Sequence, residues 1–111
     1  MIEHLTLETF KEKIMDFETQ KFKNDKPIIL KFSALWCSPC NILSPIFENV
    51  SNEIKDMNFY SVDVEDEMEI SEIFSIKSIP TTVIINSKGE KTSYSGMIQK
   101  NKLVEMINEN L

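Results

Sequence analysis

Two of the 111 residues are cysteines, Cys37 and Cys40, and they stand three apart. Two thiols at that spacing can close a short ring without unfolding anything, provided one turn of helix brings the sulfurs together. The helical run that follows them puts Cys37 at a helix amino terminus. Unpaired backbone N–H groups and the helix dipole favour a thiolate there. Such settings lower a thiol pKa from about 8.5 into roughly the 3.5–7.5 range. Cys37 would then attack a disulfide, and Cys40 would resolve the mixed disulfide. Half of a zinc site is the competing chemistry. A closed zinc site takes about four ligands, and the chain adds only one histidine, His4, distant in sequence. Carboxylates or a second subunit would have to complete it, so the spacing and ligand supply favour redox exchange. Two inert core cysteines fit less well, because Ser38 and Pro39 between them resemble a shaped turn.

The elements that must hold this pair are legible from periodicity and punctuation. Ile28 to Ser33 is predicted as a strand, and its Ile-Ile-Leu run suggests burial on both faces, as in a central parallel strand. Leu43, Ile46, Phe47, Val50 and Ile54 mark the helix after the cysteines, with Pro45 expected to kink it. Before this unit, Ile2 to Thr6 is a short strand. Leu7, Phe10, Ile14 and Phe17 recur at helical spacing with Thr9 as a cap, and residues 24–27 form a turn. After it, Asn58 to Val64 alternates as a strand and Glu65 to Phe74 reads as a short acidic helix. Thr81 to Ile85 is a β-branched strand, residues 86–89 a hairpin turn, and Glu90 to Ser95 the returning strand, broken by Gly96. Leu103, Ile107 and Leu111 mark a closing helix. Alternating strands and helices ending in a hairpin imply an α/β domain, with a mixed central sheet flanked by helices on both faces. The length suits a single domain over residues 1–111.

Composition narrows the function. The net charge is −6, from 12 basic and 18 acidic residues. Nucleic acid, a polyanion, is therefore an unfavoured partner, and the same charge argues against a polybasic membrane anchor. No apolar run approaches a bilayer span. All basic residues are lysines, so the chain has no guanidinium clamp for phosphate or carboxylate. Two neighbouring cysteines do not make a disulfide-stapled scaffold. The first ten residues lack a basic start, an apolar core and a small-residue cleavage site, which points to the cytoplasm.

With these motifs in order, the chain resembles the thioredoxin family over nearly its whole length. The resemblance rests on Trp36-Cys37-Ser38-Pro39-Cys40 after a buried strand and on Pro45 five residues past the second cysteine. It rests equally on residues 62–65 (Val-Asp-Val-Glu), 78–82 (Ser-Ile-Pro-Thr-Thr) and 88–90 (Lys-Gly-Glu) followed by Gly96. It implies a thioredoxin fold and a protein-disulfide reductase-type electron carrier. Cys37 would be the exposed nucleophile and Cys40 the buried resolving thiol. No cofactor would be bound, because the Cys37–Cys40 disulfide is itself the redox group. Pro80 matches the family's cis-proline, which would bring the Ile79 backbone against the substrate chain. Trp36, Ile79 and Gly96 would form part of a shallow apolar docking surface, with a plain core aromatic as the blander reading of Trp36. The implied partners are disulfide-containing proteins and a separate flavin-containing reductase, with the chain acting as a monomer.

The chain also departs from the family. Ser38-Pro39 stands where Gly-Pro is usual, at positions that tune the relative stability of dithiol and disulfide. Lys31 stands six residues before Cys37, where the family usually has a buried Asp, and Ser61 occupies the position of the partner lysine. Ser33 replaces an aromatic, and Asn41 a basic residue. If Lys31 points inward near Cys40, its charge favours the thiolate form and a more oxidising potential; neutral, it could accept the Cys40 proton. The alternative is that Lys31 snorkels or pairs with a carboxylate such as Asp63. His4 is expected at the surface or on a strand edge, and the acidic run at 65–67 as a solvated helix start. Two other functions stay open at this point: a partner-binding module with regulatory cysteines, and a more oxidising oxidase or isomerase.

Overall fold

The computed structural model describes residues 2–111. β1 (Ile2–His4) and α1 (Leu7–Lys13) are followed by two short strands, β2 (Met15–Asp16) and β3 (Lys21–Phe22). Then come β4 (Ile28–Ser33), α2 (Ser38–Glu53), β5 (Asn58–Asp63), α3 (Met68–Ile73), β6 (Thr81–Ile85), β7 (Lys91–Ser95) and α4 (Lys100–Asn108). The main sheet has the order β1-β5-β4-β6-β7. β4 is its middle strand, parallel to β5 and antiparallel to β6. The expected mixed sheet is present, and the central strand is parallel on one side only.

Strand periodicity explains the unbroken apolar run of β4. Successive side chains point to opposite faces, and both faces are covered. Leu30 and Phe32 join Val62, Val83, Phe10 of α1 and Ile70 of α3. Ile29 joins Phe59 and Ile84 with Leu43, Phe47 and Val50 of α2 and Leu103 and Ile107 of α4. Lys31 follows Ile29 by two and therefore shares the face covered by α2. In register, Lys31 lies between Ser61 of β5 and Thr82 of β6, and His4 of β1 lies beyond Ser61.

Several boundaries differ from expectation, and at three of them a polar side chain makes a stronger local bond. The cap of α1 is Thr6, not Thr9; its hydroxyl accepts the Thr9 N–H at 3.1 Å while Thr9 Oγ1 accepts the Thr6 N–H at 2.9 Å. This reciprocal pair satisfies two donors that a helix start leaves open. α1 also stops at Lys13, before Phe17. Asp16 Oδ1 accepts the Glu18 N–H at 2.9 Å, which favours a turn over further helix and leads into the β2–β3 hairpin. α3 starts at Met68 rather than Glu65, because Asp63 Oδ1 accepts the Glu65 N–H at 2.9 Å and holds residues 64–66 in a turn. Of the acidic run, Glu65 and Asp66 lie in this turn, while Glu67 is the N-cap of α3, without a side-chain cap bond, and Glu69 falls in its first turn. Glu67 instead reaches across the fold, its Oε1 accepting the Leu7 N–H at the first turn of α1 at 2.8 Å.

The hairpin at 86–89 forms as expected: Asn86 Oδ1 accepts the N–H groups of Lys88 and Glu90, and Gly89 takes φ +84°. Among the described residues no helix is long and apolar enough to cross a membrane.

Candidate active site

β4 delivers the chain to the carboxyl end of the sheet. Residues 34–36 form a short connection, and Cys37 becomes the N-cap of α2 with φ −86° and ψ 110°. Ser38 and Pro39 occupy the first helical turn. A proline costs nothing there, since the N–H it lacks would have no intrahelical partner. One turn places Cys40 over Cys37. The two form a disulfide with Cα atoms 5.2 Å apart, and Cys37 Sγ accepts the Cys40 N–H at 3.2 Å. The sulfur of Cys37 therefore meets a backbone donor at a helix amino terminus, an arrangement that stabilises negative charge.

In the disulfide form neither cysteine is exposed: Cys37 is 4% and Cys40 1% accessible. The expectation of an exposed Cys37 is corrected for this state, because Ala34, Val64 and Ile79 pack around the bond. The surface beside it is apolar and open. Leu35 is 86% and Trp36 67% exposed, which excludes the core-aromatic reading of Trp36. Its indole N–H donates to Glu65 Oε1 at 2.6 Å. The Ile79–Pro80 bond is cis, and the Pro80 carbonyl accepts the Gly96 N–H at 2.7 Å. Gly96 holds φ +93°, a conformation few other residues adopt. Ile79 packs against the disulfide and Gly96 is bonded to the adjoining Pro80, while Trp36 is tied to the turn after β5.

Lys31 does point inward, at 6% exposure, but its partner is not Asp63. Its Nζ donates to Ser44 Oγ at 2.8 Å, and Ser44 Oγ donates to the Cys40 carbonyl at 3.0 Å. The Nζ also lies 5.5 Å from the centre of the Phe47 ring. Asp63 is unavailable because its carboxylate holds the following turn. A cavity of ≈ 410 Å³ opens behind the disulfide and is lined by Lys31, Cys40, Ser44, Ser61 and His4 among others. Ser33, where the family usually has an aromatic, also lines it. His4 is exposed on the edge strand, as expected, with Nδ1 hydrogen-bonded to Ser61 Oγ. Sequence reasoning missed Ser44 and the Ser61–His4 bond. The signal for Ser44 was available: it stands four residues after Cys40, one helical turn along the same face. Among the described residues no group of three metal-ligating side chains comes together.

Burial pushes the Lys31 pKa below its usual 10.5, opposed by the charge of Glu48. Between the lowered value and 10.5 the unfolded chain binds more protons than the folded one, so stability rises with pH through that window. Lys31→Met removes the cost of burying the ammonium. It should stabilise the disulfide form by about 1 kcal/mol near neutral pH, with the advantage closing as pH approaches 10.5. Urea unfolding of both proteins under non-reducing conditions at several pH values checks this; a constant gap would show that Lys31 does not titrate differently on folding.

Comparison with known proteins agrees with this geometry. The family model described as Thioredoxin matches residues 1–109. The chain is 36% identical over 109 residues to a thioredoxin of Borreliella burgdorferi, covering 95% of this chain and 93% of that one. It is 40% identical over 88 residues to a thioredoxin of Mycoplasmoides gallisepticum, covering 79% and 88%. Among solved structures, the thioredoxin of Malassezia sympodialis superposes with a TM-score of 0.79 at 26% identity, covering 99% of this chain and 90% of that one. A chloroplastic thioredoxin z superposes at 0.80 with 23% identity, covering 97% and 92%, a likeness of fold.

Proposed function

The chain belongs to the thioredoxin family and is a thiol–disulfide oxidoreductase, and on that premise we propose how its residues divide the reaction. In the dithiol form the Cys37 thiolate attacks one sulfur of a substrate protein's disulfide. A mixed disulfide forms, and the other substrate sulfur leaves and takes a proton. The Cys40 thiolate then attacks the Cys37 sulfur. The second substrate sulfur leaves, and the Cys37–Cys40 bond closes. Two electrons have passed to the substrate, and the redox-active disulfide is the only carrier required. The observation that carries this assignment is the Cys40 N–H donated to Cys37 Sγ at the amino terminus of α2. Cys37 is the sulfur that a helix start stabilises as thiolate, whereas Cys40 lies inside the first turn.

Docking falls to the exposed Trp36 together with Ile79 and Gly96. Pro80 fixes the path of the Ile79 backbone, and Ser38 and Pro39 set the turn that closes the ring. The chain acts as a single domain and a monomer in the cytoplasm, as an electron-transport carrier recharged by a flavoprotein of the thioredoxin reductase type. The binding-module and oxidase readings are not favoured, since the relatives are named thioredoxins and this chain holds its own Cys37–Cys40 disulfide. Catalysis of insulin-disulfide reduction by dithiothreitol tests the proposal; absence of turnover by the intact chain would overturn it.

Lys31 tunes the couple. A cation beside the pair stabilises the thiolate-bearing form and so raises the potential. Lys31→Asp should lower it, shifting the exchange equilibrium with glutathione toward the disulfide tenfold or more, about 30 mV for a two-electron couple. An unchanged or higher potential in the mutant would sink this assignment.

A further inference from the structure

Three serines make room around one lysine. Ser61 of β5 stands beside Lys31 in register, and Ser33 follows Lys31 by two on the same face of β4. Ser44 of α2 closes the group from above and takes the Lys31 amine. Side chains this small do not fill the space between the sheet and the first two turns of α2. The cavity of ≈ 410 Å³ behind the disulfide is the result, and its size suits a small organic ligand. Its mouth lies between the exposed Leu35, Asn41 and Asp66, and Leu5, Ala34 and Val62 give it a buried apolar wall.

Lys31 supplies the polar end. It is 6% exposed, and among the described residues no carboxylate lies within ion-pair distance of its Nζ. An ammonium carries three donors, and the one bond it makes goes to Ser44. A buried ammonium without an anion is costly, and a hydrogen-bonded carboxylate offsets that cost. The carboxylates around the cavity do not serve. Asp63 accepts the N–H groups of Glu65 and Asp66, Glu67 accepts that of Leu7, and Asp66 is exposed at the mouth. These acids also restrict what can enter. One negative charge is met by Lys31, whereas a second would face them with no further lysine in the lining. A cation would meet the Lys31 ammonium at the inner end.

We propose that this cavity is a binding site for a free, small monocarboxylate with an apolar body, whose carboxylate accepts from the Lys31 ammonium while its body lies against Leu5, Ala34 and Val62 in the room that Ser33 leaves. Binding there needs no electron transfer and is read on the disulfide form. Its failure would therefore leave disulfide exchange standing, since insulin reduction tests that separately.

The probe is phenylacetate, titrated into the disulfide form while the backbone amides are followed by NMR. Saturable shifts should appear at Lys31, Ala34, Ser44 and Val62, with a dissociation constant of about 1 mM or tighter for a ligand of this size. Phenylacetamide keeps the ring and lacks the charge, and acetate keeps the charge and lacks the ring. Each should bind about tenfold more weakly or worse. Lys31→Met should weaken phenylacetate by a similar factor, and Ser33→Phe should abolish its binding by filling the cavity. No saturation of these amides by about 10 mM phenylacetate would overturn the proposal. Equal binding of phenylacetamide, tighter binding of phenethylamine, or unchanged affinity in Lys31→Met would overturn it as well. The comparison of probes on the wild-type chain decides the matter even where a variant fails to fold.

Discussion

Cys37→Ser should reduce insulin-disulfide turnover to the rate of dithiothreitol alone, whereas Cys40→Ser should leave the protein bonded to its substrate. The two thiols differ by position. Cys37 receives a backbone N–H at a helix cap. Cys40 sits inside the helix with its own N–H already given to its partner, and both are covered by Ala34, Val64 and Ile79 when bonded. A serine at 37 keeps the cap but is a far weaker nucleophile at neutral pH. A serine at 40 leaves the first step intact and removes the second. Non-reducing gels and mass spectrometry of each variant with a disulfide substrate distinguish the outcomes. A trapped adduct in Cys37→Ser, through Cys40, would reverse the assignment of attacking and resolving sulfurs.

Phe47→Ala should cost about 3–5 kcal/mol of folding stability, a large share of the roughly 5–15 kcal/mol that holds a domain folded. The ring is fully buried on the inner face of α2 and meets Phe59 edge-on, with centroids 5.2 Å apart. It also carries one side of the Lys31 amine. Truncation would therefore open a cavity and remove an aromatic face from a buried cation at once. Urea unfolding measures the loss as a lower midpoint at unchanged slope. A loss below about 1 kcal/mol would mean that α2 settles onto the sheet without it. Phe47→Leu keeps most of the volume and should recover more than half of the loss.

The parts of the fold that were legible in the sequence are those where one pattern acts alone. The Ile28–Ser33 strand, the β-branched Thr81–Ile85 strand and the hairpin with Gly89 carry a single strong signal each. The Cys-Ser-Pro-Cys turn was equally plain, because spacing alone brings its sulfurs together. Misread boundaries lie where a short polar side chain competes with the helix, as Asp16 and Asp63 do. β2 and β3 have two residues each, too few for any alternation to show. The surroundings of Lys31 depended on register. Strand parity with Ile29 indicates its face, but its partner comes from a helix thirteen residues on, and only packing decides that Ser44 rather than Asp63 receives it. The accessibility of Cys37 was missed because it depends on Val64 and Ile79, which approach from distant segments.

The disulfide closes a very small loop, with its two residues three positions apart. A cross-link restricts the unfolded chain in proportion to the logarithm of the loop it closes, so this one contributes only about 2 kcal/mol by loop entropy. Folding is instead driven by the two apolar layers on either side of β4. The bond can accordingly be made and broken many times while the scaffold persists. The cross-link works here as a switch carried by a fold that does not depend on it, and electron transfer is uncoupled from the risk of unfolding.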